Sequence, residues 1–157
     1  LHTIQQIENY RVALQEIGLT LKPCSTGFLN ELAIDRPAYQ FSPFEGHAER
    51  WSGETIDNKI KIFLDHLSKR NADHFILTCP QSISWTLNIR CRSAHHNPAC
   101  PAYMVIHADG SIAVFAFLGN ITDHVKRHCG NKVGWHDLKD FGNYLTNLKG
   151  KTILLDP

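Results

Sequence analysis

The chain has 157 residues, of which 43% are hydrophobic and 20% charged, which is enough apolar material for one α/β core or two small units. Sixteen Lys and Arg against fifteen Asp and Glu leave a net charge of +1, so the composition argues against a dedicated nucleic-acid-binding protein. No stretch approaches the roughly 18 apolar residues of a membrane helix, and the residues after Leu1 lack the pattern of a signal peptide, so we expect neither. Five scattered cysteines without a C-x-x-C motif are typical of reduced thiols, so we expect a cytoplasmic protein without membrane or nucleic-acid partners.

Residues 1–50 are expected to be the tail of a preceding domain and a connector. Apolar residues recur at three- and four-residue intervals over residues 4–17, and Thr3 and Gln6 have the spacing of a capping box, which predicts a helix with one buried face. In residues 19–51 this periodicity ends and Pro and Gly are frequent, which favours a connector. Both ends of the sequence are expected to be cut from a longer polypeptide.

Residues 51–157 are expected to form a second domain in which helices and strands alternate. Asp109-Gly110, a dipeptide of two-residue hairpin turns, separates two apolar runs that we predict to be paired strands. The predicted order is helix 56–67, strand 74–79, helix 80–88, strands 102–108 and 112–118, helix 120–129, strand 132–135, helix 137–148 and strand 152–155. This order predicts an α/β fold with a mixed parallel and antiparallel sheet flanked by helices.

Candidate metal ligands and nucleophiles are present, but none lies in a recognised pattern. The densest cluster has a C-x3-H-H-x3-C spacing that is uncommon for zinc, and its members are Cys91, His95, His96 and Cys100. His124 and His128 are four apart on a predicted helix without the Glu of H-E-x-x-H, so we expect a solvated helix face there. Phosphate-binding glycine loops and the G-x-S-x-G elbow are absent from the sequence. We therefore expect no catalytic residue and no metal ligand in this chain.

The segment 82–98 concentrates polar and aromatic side chains where a short helix meets a loop, just after the carboxyl end of a strand. Ligand crevices of α/β sheets form at such ends. The alternative is that Trp85 and Leu87 are core anchors, Asn88 caps the helix and Arg90 pairs with a surface carboxylate. The candidate residues for a substrate cleft or an interface are Trp85, Asn88, Arg90, His96 and Asn97.

The same segment carries a family resemblance. Its residues Ser82-Ile-Ser-Trp85-x-x-Asn88-Ile-Arg90, followed by Asn97-Pro98 and Tyr103, resemble the (D/S)IAW-x-x-N-(L/I)-RG-x-D-x-x-x-NP signature in the middle domain of three-domain Xaa-Pro aminopeptidases, also called aminopeptidase P.

Three further segments are similar to the same family. Asp35-Arg36-Pro37 resembles a W-x-DRP segment, and Gly53 with Lys59 resembles a G-x-(S/T)-x-x-x-K helix start. Leu154-Leu155-Asp156-Pro157 resembles the end of the middle domain. Two positions depart from the signature. Cys91 replaces a glycine and Ser93 replaces an acidic residue, so we expect a loop of different shape there, without the contacts of that carboxylate.

The resemblance implies a fold of the creatinase/prolidase N-terminal-domain type. It also implies a parent hydrolase, a metal-dependent Xaa-Pro aminopeptidase or dipeptidase, that cleaves the bond before a proline in the second position of a peptide. In this family two divalent ions, manganese or zinc, lie in a C-terminal catalytic domain, so this chain holds no cofactor of its own and is expected to be inactive alone.

The resemblance further implies three partners: the parent's own catalytic domain, a second copy in a homodimer, and the peptide substrate. Trp85, Asn88, Arg90 and Asn97 would then serve dimer contacts or one wall of the substrate cleft, with Arg90 binding a peptide carboxylate or an acidic neighbour. The alternatives are the N-terminal domain of a creatinase-like amidinohydrolase, or a free-standing ligand- or metal-binding module using the 91–100 cluster.

Overall fold

The computed structural model describes residues 3–24, 32, 35, 42–93 and 96–155, and the chain separates into two compact units, 1–39 and 40–157. Several residues of the sequence motifs, Arg36, Pro37, His95, Asp156 and Pro157, lie outside the described residues. The assignment of residues 1–50 and 51–157 to different parent domains stays a prediction.

The first unit contains helix α1 (Ile4–Glu16), which begins as its capping pattern predicts. The side-chain oxygen of Thr3 accepts a hydrogen bond from the N–H of Gln6, and the side-chain oxygen of Gln6 accepts one from the N–H of Thr3. No residue of α1, all of which the structure describes, is buried, and Ile4 is 85% exposed. The prediction of a buried face was therefore wrong, because an apolar stripe on one short helix cannot enclose itself.

The second unit alternates short strands and helices. In chain order its elements are β1 (Glu45–Gly46), α2 (Glu49–Ser52), α3 (Ile56–Lys69), β2 (His74–Leu77), α4 (Pro80–Thr86), β3 (Ile89–Arg90), β4 (Tyr103–His107), β5 (Ile112–Ala116), α5 (Asp123–Cys129), β6 (Val133–Asp137), α6 (Phe141–Asn147) and β7 (Ile153–Leu155). The predicted helices and strands are confirmed within a few residues at their ends. The sequence prediction missed β1, α2 and β3, which are too short to show a periodic pattern. No helix in the described part of the chain has the length and apolarity needed to cross a membrane.

Five strands form one sheet in the order β6-β5-β4-β2-β7. The central strands β5, β4 and β2 are antiparallel, whereas β6 joins β5 and β7 joins β2 in parallel. The predicted hairpin is present between β4 and β5. Its turn has three residues, 108–110, rather than the expected two, because the N–H of His107 donates to the carbonyl of Ser111, and Gly110 in this turn has a φ of +85°. The prediction of an α/β fold with a mixed sheet is confirmed.

Helices cover both faces of this sheet. On one face, residues of α3, α4 and α5 pack on alternate strand residues, including Ile60, Ile83, Met104, Val114 and Val125. On the opposite face, residues of α6 and its flanking turns pack on the strand residues between them, including Val105, Ala113, Phe115, Tyr144 and Leu148. Strand β5 is therefore buried along its whole length, and β4 is buried in its middle.

A second, two-stranded sheet lies beside the first. Its strands β1 and β3 are antiparallel, with Glu45 opposite Arg90 and Gly46 opposite Ile89. Gly46 packs against the ring of His128 in α5, so β1 links α5 to the segment that follows α4. This small sheet sets the course of residues 88–90, which belong to the candidate site.

Candidate functional site

The site begins where α4 ends. After the last turn of α4, Asn88 adopts the left-handed conformation with a φ of +49°, and its N–H donates to the carbonyl of Trp85 at 3.3 Å. The carbonyl of Asn88 accepts the N–H of His47 at 2.6 Å, which ties this turn to the end of β1. The reversal turns the chain directly into β3 and Arg90.

The side chain of Asn88 is buried and bonded on both sides. Its Nδ2 donates to the carbonyl of Glu54 at 2.8 Å, and its Oδ1 accepts from Nζ of Lys59 at 2.5 Å. These bonds connect the end of α4 to the beginning of α3. Asn88 thus combines an αL turn, which Asn tolerates better than most residues, with an amide bridge that glycine could not make.

Lys59 is fully buried at 0% exposure. Its Nζ also donates to the carbonyl of Trp85 at 2.8 Å and lies 4.4 Å from the centroid of the Trp85 ring. Burial lowers the pKa of Lys59, and the nearby charge of Arg90 lowers it further, while the charge of Glu54 raises it. No carboxylate in the described residues forms an ion pair with Lys59, so its charge is held by neutral oxygens and an aromatic face.

Beside this turn lies a cavity of about 200 Å³, which we call the Arg90 cavity. Its lining residues are Gln81, Ser84, Trp85, Arg90, Asn97, Pro98 and Ala99. Nη1 of Arg90 donates to the carbonyls of Ile89 at 2.8 Å and Ser84 at 3.3 Å, and no described carboxylate pairs with it. The Arg90 cavity therefore contains one guanidinium group, two amide side chains, an indole and no acidic lining residue.

The loop on the other side of the Arg90 cavity is fixed to α4 by a serine. Oγ of Ser84 donates to the carbonyl of Pro80 at 2.8 Å and accepts the N–H of Cys100 at 2.7 Å. The N–H of Cys91 donates to the carbonyl of Pro98 at 2.8 Å, which closes the same loop. The loop wall of the cavity is thus hydrogen-bonded to α4 and to the residue that follows β3.

The structure separates the five candidate site residues into three groups. Trp85, Arg90 and Asn97 share the Arg90 cavity. Asn88 lies beneath it and lines a different cavity of about 470 Å³. His96 is exposed, has a φ of +60° and lines neither of these two cavities. A role of these residues in a substrate cleft or an interface stays a prediction.

Two of the four alternative assignments are wrong, whereas Leu87 is fully buried in the core as expected. Trp85 is 47% exposed and is not a core anchor, and no described surface carboxylate pairs with Arg90. Asn88 does end its helix as that alternative expected. Sequence reasoning missed the buried role of Lys59, although its place on the apolar stripe between Ile56 and Phe63 of α3 was the available signal.

The predicted difference in loop shape at Cys91 stays a prediction. Outside glycine, the described residues with a positive φ are Asn71, Asn88 and His96, so Cys91 needs no glycine-like conformation. Its buried Sγ lies 2.9 Å from Oγ of Ser93, so the two residues that depart from the signature contact each other.

The described residues contain no group of three or more His, Cys, Asp or Glu placed to hold a metal ion. Burial raises the pKa of the Cys100 thiol to about 12, which keeps it neutral. In the other histidine pair, His124 is exposed as predicted, but His128 is partly buried against Gly46, so that helix face is only half solvated. The Cys and His candidates of this chain therefore do not form a site for two divalent ions. The family resemblance implies that those ions lie in a separate catalytic domain.

The chain is similar in sequence to a known domain family and to known proteins. A family model described as the Creatinase/Prolidase N-terminal domain matches residues 35–157. A probable Xaa-Pro aminopeptidase P of Coprinopsis cinerea is 26% identical over 110 residues, which are 68% of this chain and 18% of that protein. A probable Xaa-Pro aminopeptidase P of Leptosphaeria maculans is 21% identical over 143 residues, which are 91% of this chain and 24% of that protein.

A solved structure shows the same fold. The X-prolyl aminopeptidase of Caenorhabditis elegans, described as a cytosolic enzyme with a di-nuclear active site, superposes with a TM-score of 0.83 at 20% sequence identity. The match covers 99% of this chain and 26% of that one. The chain therefore spans about a quarter or less of the length of these three relatives.

Proposed function

Since the chain belongs to the creatinase/prolidase N-terminal domain family, we propose that it is a non-catalytic domain of a metal-dependent Xaa-Pro aminopeptidase. In this proposal the parent cleaves the bond before a proline in the second position of a peptide, and this chain supplies one wall of the substrate cleft and part of a dimer interface. The names of the relatives and the share of their length that the chain covers support a parent of this class. The parent would act in the cytoplasm, as the C. elegans enzyme is described to do.

The observation that carries the proposal is the composition of the Arg90 cavity. Trp85 and Pro98 offer flat apolar surfaces, and Arg90 and Asn97 offer polar groups, within one concave site. A guanidinium group binds carboxylates through paired hydrogen bonds, and indole faces pack well on proline rings. The cavity therefore suits a short peptide that carries a proline and a free carboxylate.

The chemistry of bond cleavage belongs elsewhere in the parent. Two divalent ions, manganese or zinc, would activate the attacking water in a catalytic domain. The residues of this chain would bind and orient the peptide and exclude water from one side of the cleft. The catalytic domain and a second copy of the parent are the proposed protein partners.

Titration with a tripeptide that has proline in its second position tests the role of the cavity. We expect amide and side-chain NMR resonances of Trp85, Arg90 and Asn97 to shift at millimolar peptide, because only one wall of the cleft is present. Arg90→Gln should abolish the shifts, whereas Arg92→Gln should not, since Arg92 is largely exposed and contacts Glu45. Shifts that appear elsewhere, or that Arg90→Gln leaves intact, would reject a cleft-wall role.

Assays of hydrolysis test the non-catalytic assignment. The purified chain with added manganese or zinc should release no amino acid from the same tripeptide. Metal-dependent release that follows the chain through purification would show that it carries its own catalytic centre. Binding of creatine but not the tripeptide at the Arg90 cavity would instead favour the amidinohydrolase alternative.

A further inference from the structure

We infer that Lys59 is a positioning residue, whose ammonium group holds the end of α4 and thereby sets the orientation of Trp85 and Arg90 at the Arg90 cavity. The use of that cavity by a peptide rests on the proposed function. The positioning itself rests only on contacts within the second unit.

The charge of Lys59 is buried, and this burial needs a reason. A lysine is rarely buried completely, because its ammonium group loses hydration on leaving water. Methionine, similar in length and apolar, would fill the same volume without that loss. What distinguishes Lys59 from such a residue is therefore the set of bonds made by Nζ, and each of these bonds ends on Trp85 or Asn88.

The contacts of Nζ all point to the end of α4. Nζ binds the carbonyl of Trp85, the amide oxygen of Asn88 and the face of the Trp85 ring, which accounts for the three donor hydrogens of an ammonium group. The contacts fix the indole relative to its own backbone. They also fix the αL residue that precedes β3, so Lys59 acts on Trp85 directly and on Arg90 through the turn at Asn88.

Charged and titratable groups of three other segments face Lys59. Arg90 faces it with a like charge, and Glu54 faces it with the opposite charge. The charge of Lys59 also acts on His47, whose pKa is lowered first by burial and then by Arg90, Lys59 and His128. Because burial and Arg90 favour the neutral amine, Lys59 should lose its proton below its ordinary pKa of 10.5. Loss of the proton should weaken the contact between Nζ and the indole ring.

The ring C–H resonances of Trp85, followed by NMR as the pH is raised, test the inference in the full chain. Trp85→Phe assigns them among the three tryptophans. We expect an inflection below pH 10.5 that disappears in Lys59→Met and persists in Lys61→Met, because Lys61 is an exposed lysine of the same helix. A merely structural role of Lys59 would not give Trp85 a titration. An unchanged inflection in Lys59→Met, or none in the wild type, would overturn the inference.

A wild-type measurement keeps the inference testable if Lys59→Met does not fold. Nuclear Overhauser contacts between the Lys59 Hε protons and the Trp85 ring are expected, and their absence would also overturn it. Tripeptide affinity is measured separately and should fall about tenfold in Lys59→Met, without change in Lys61→Met. If the wild type binds no tripeptide while Trp85 still titrates with Lys59, the proposed function fails and the positioning role stands.

Discussion

The Nδ1 atoms of His74 and His107 lie 2.8 Å apart across strands β2 and β4, where the two residues are directly opposite each other. Nε2 of His107 lies 2.9 Å from the hydroxyl of Tyr144 in α6, and Nε2 of His74 is buried without a hydrogen-bond partner among the described residues. Only one proton fits between the two Nδ1 atoms, so the pair cannot be fully protonated without breaking this contact. Burial lowers the pKa of His107, and the charge of His74 lowers it further, against a smaller opposing effect of Asp109.

Stability should therefore fall in mild acid. The pKa of His107 is lowered in the folded state from its ordinary 6.5, so between these two values the unfolded chain binds a proton that the folded chain does not. The contribution is fully present above pH 6.5 and is lost as the pH falls from there toward the lowered pKa. Urea unfolding at pH values from 8 to 5 should show this decline.

Two variants assign the decline to His107. His107→Gln should reduce the dependence of unfolding free energy on pH, since glutamine does not titrate, and the lowered pKa of His47 should leave a smaller slope in the same direction. His66→Gln should leave it unchanged, because His66 is exposed on α3 beside Arg70. A slope that His107→Gln leaves undiminished would assign the effect to another histidine.

Asn88 and Asn71 both have a φ of 49°, but their side chains differ in what they bind. Asn88→Gly should cost about 2–3 kcal/mol, because it removes the bridge to Glu54 and leaves the buried ammonium of Lys59 with one oxygen fewer. Asn71→Gly at an exposed position should change stability by less than about 0.5 kcal/mol, because glycine adopts this backbone freely. Chemical denaturation measures both, and equal losses would show that the backbone rather than the amide is what Asn88 supplies.

Phe115 is fully buried in the layer between the sheet and α6. Its ring lies 4.9 Å from that of Tyr144 and 5.0 Å from that of His136, centroid to centroid. Phe115→Ala should lower the unfolding free energy by about 3–5 kcal/mol through lost burial and a cavity. Leu118→Ala, at a side chain that is 61% exposed, should change it by less than about 0.5 kcal/mol. A small loss at Phe115 would mean that this face can collapse around the missing ring.

Two glycines should respond to alanine with opposite signs. A Cβ on Gly46 would lie 2.6 Å from Cγ of His128, so Gly46→Ala must displace that ring and should cost about 1–3 kcal/mol. Gly142 in α6 has no such neighbour within 4 Å, and Gly142→Ala should gain roughly 0.5–1 kcal/mol from helix propensity. Thermal unfolding of the two variants measures the contrast. A neutral Gly46→Ala would show that β1 can move away from α5.

The sequence predicts the elements of this fold better than their arrangement. The stripe of α3 and the apolar runs of β4 and β5 follow from periodicity, and the turn at Gly110 follows from its dipeptide. The pairing of β1 with β3 could not be predicted, because strands of two residues carry no pattern and their paired residues, such as Glu45 and Arg90, lie far apart in the chain. Sheet order depends on contacts between distant segments, which local preferences do not encode.

In the candidate site, too, the sequence predicts which residues are involved better than how they are arranged. The signature spacing identifies Trp85, Asn88, Arg90 and Asn97 together, yet only three of them meet in one cavity. Asn88 is withdrawn beneath it because its αL backbone turns the amide toward Glu54 and Lys59. A one-dimensional motif shows which residues belong to a region, whereas burial and hydrogen bonding decide which of them a ligand can contact.

The parallel pairing of β7 with β2 joins residues as distant as His74 and Ile153. During synthesis, the outer edge of β2 therefore stays unpaired until almost the whole second unit has left the ribosome. Contacts over such long separations slow folding, and an open strand edge is a template for association with another chain. Nascent chains stalled before β7 should accordingly engage chaperones more than completed ones.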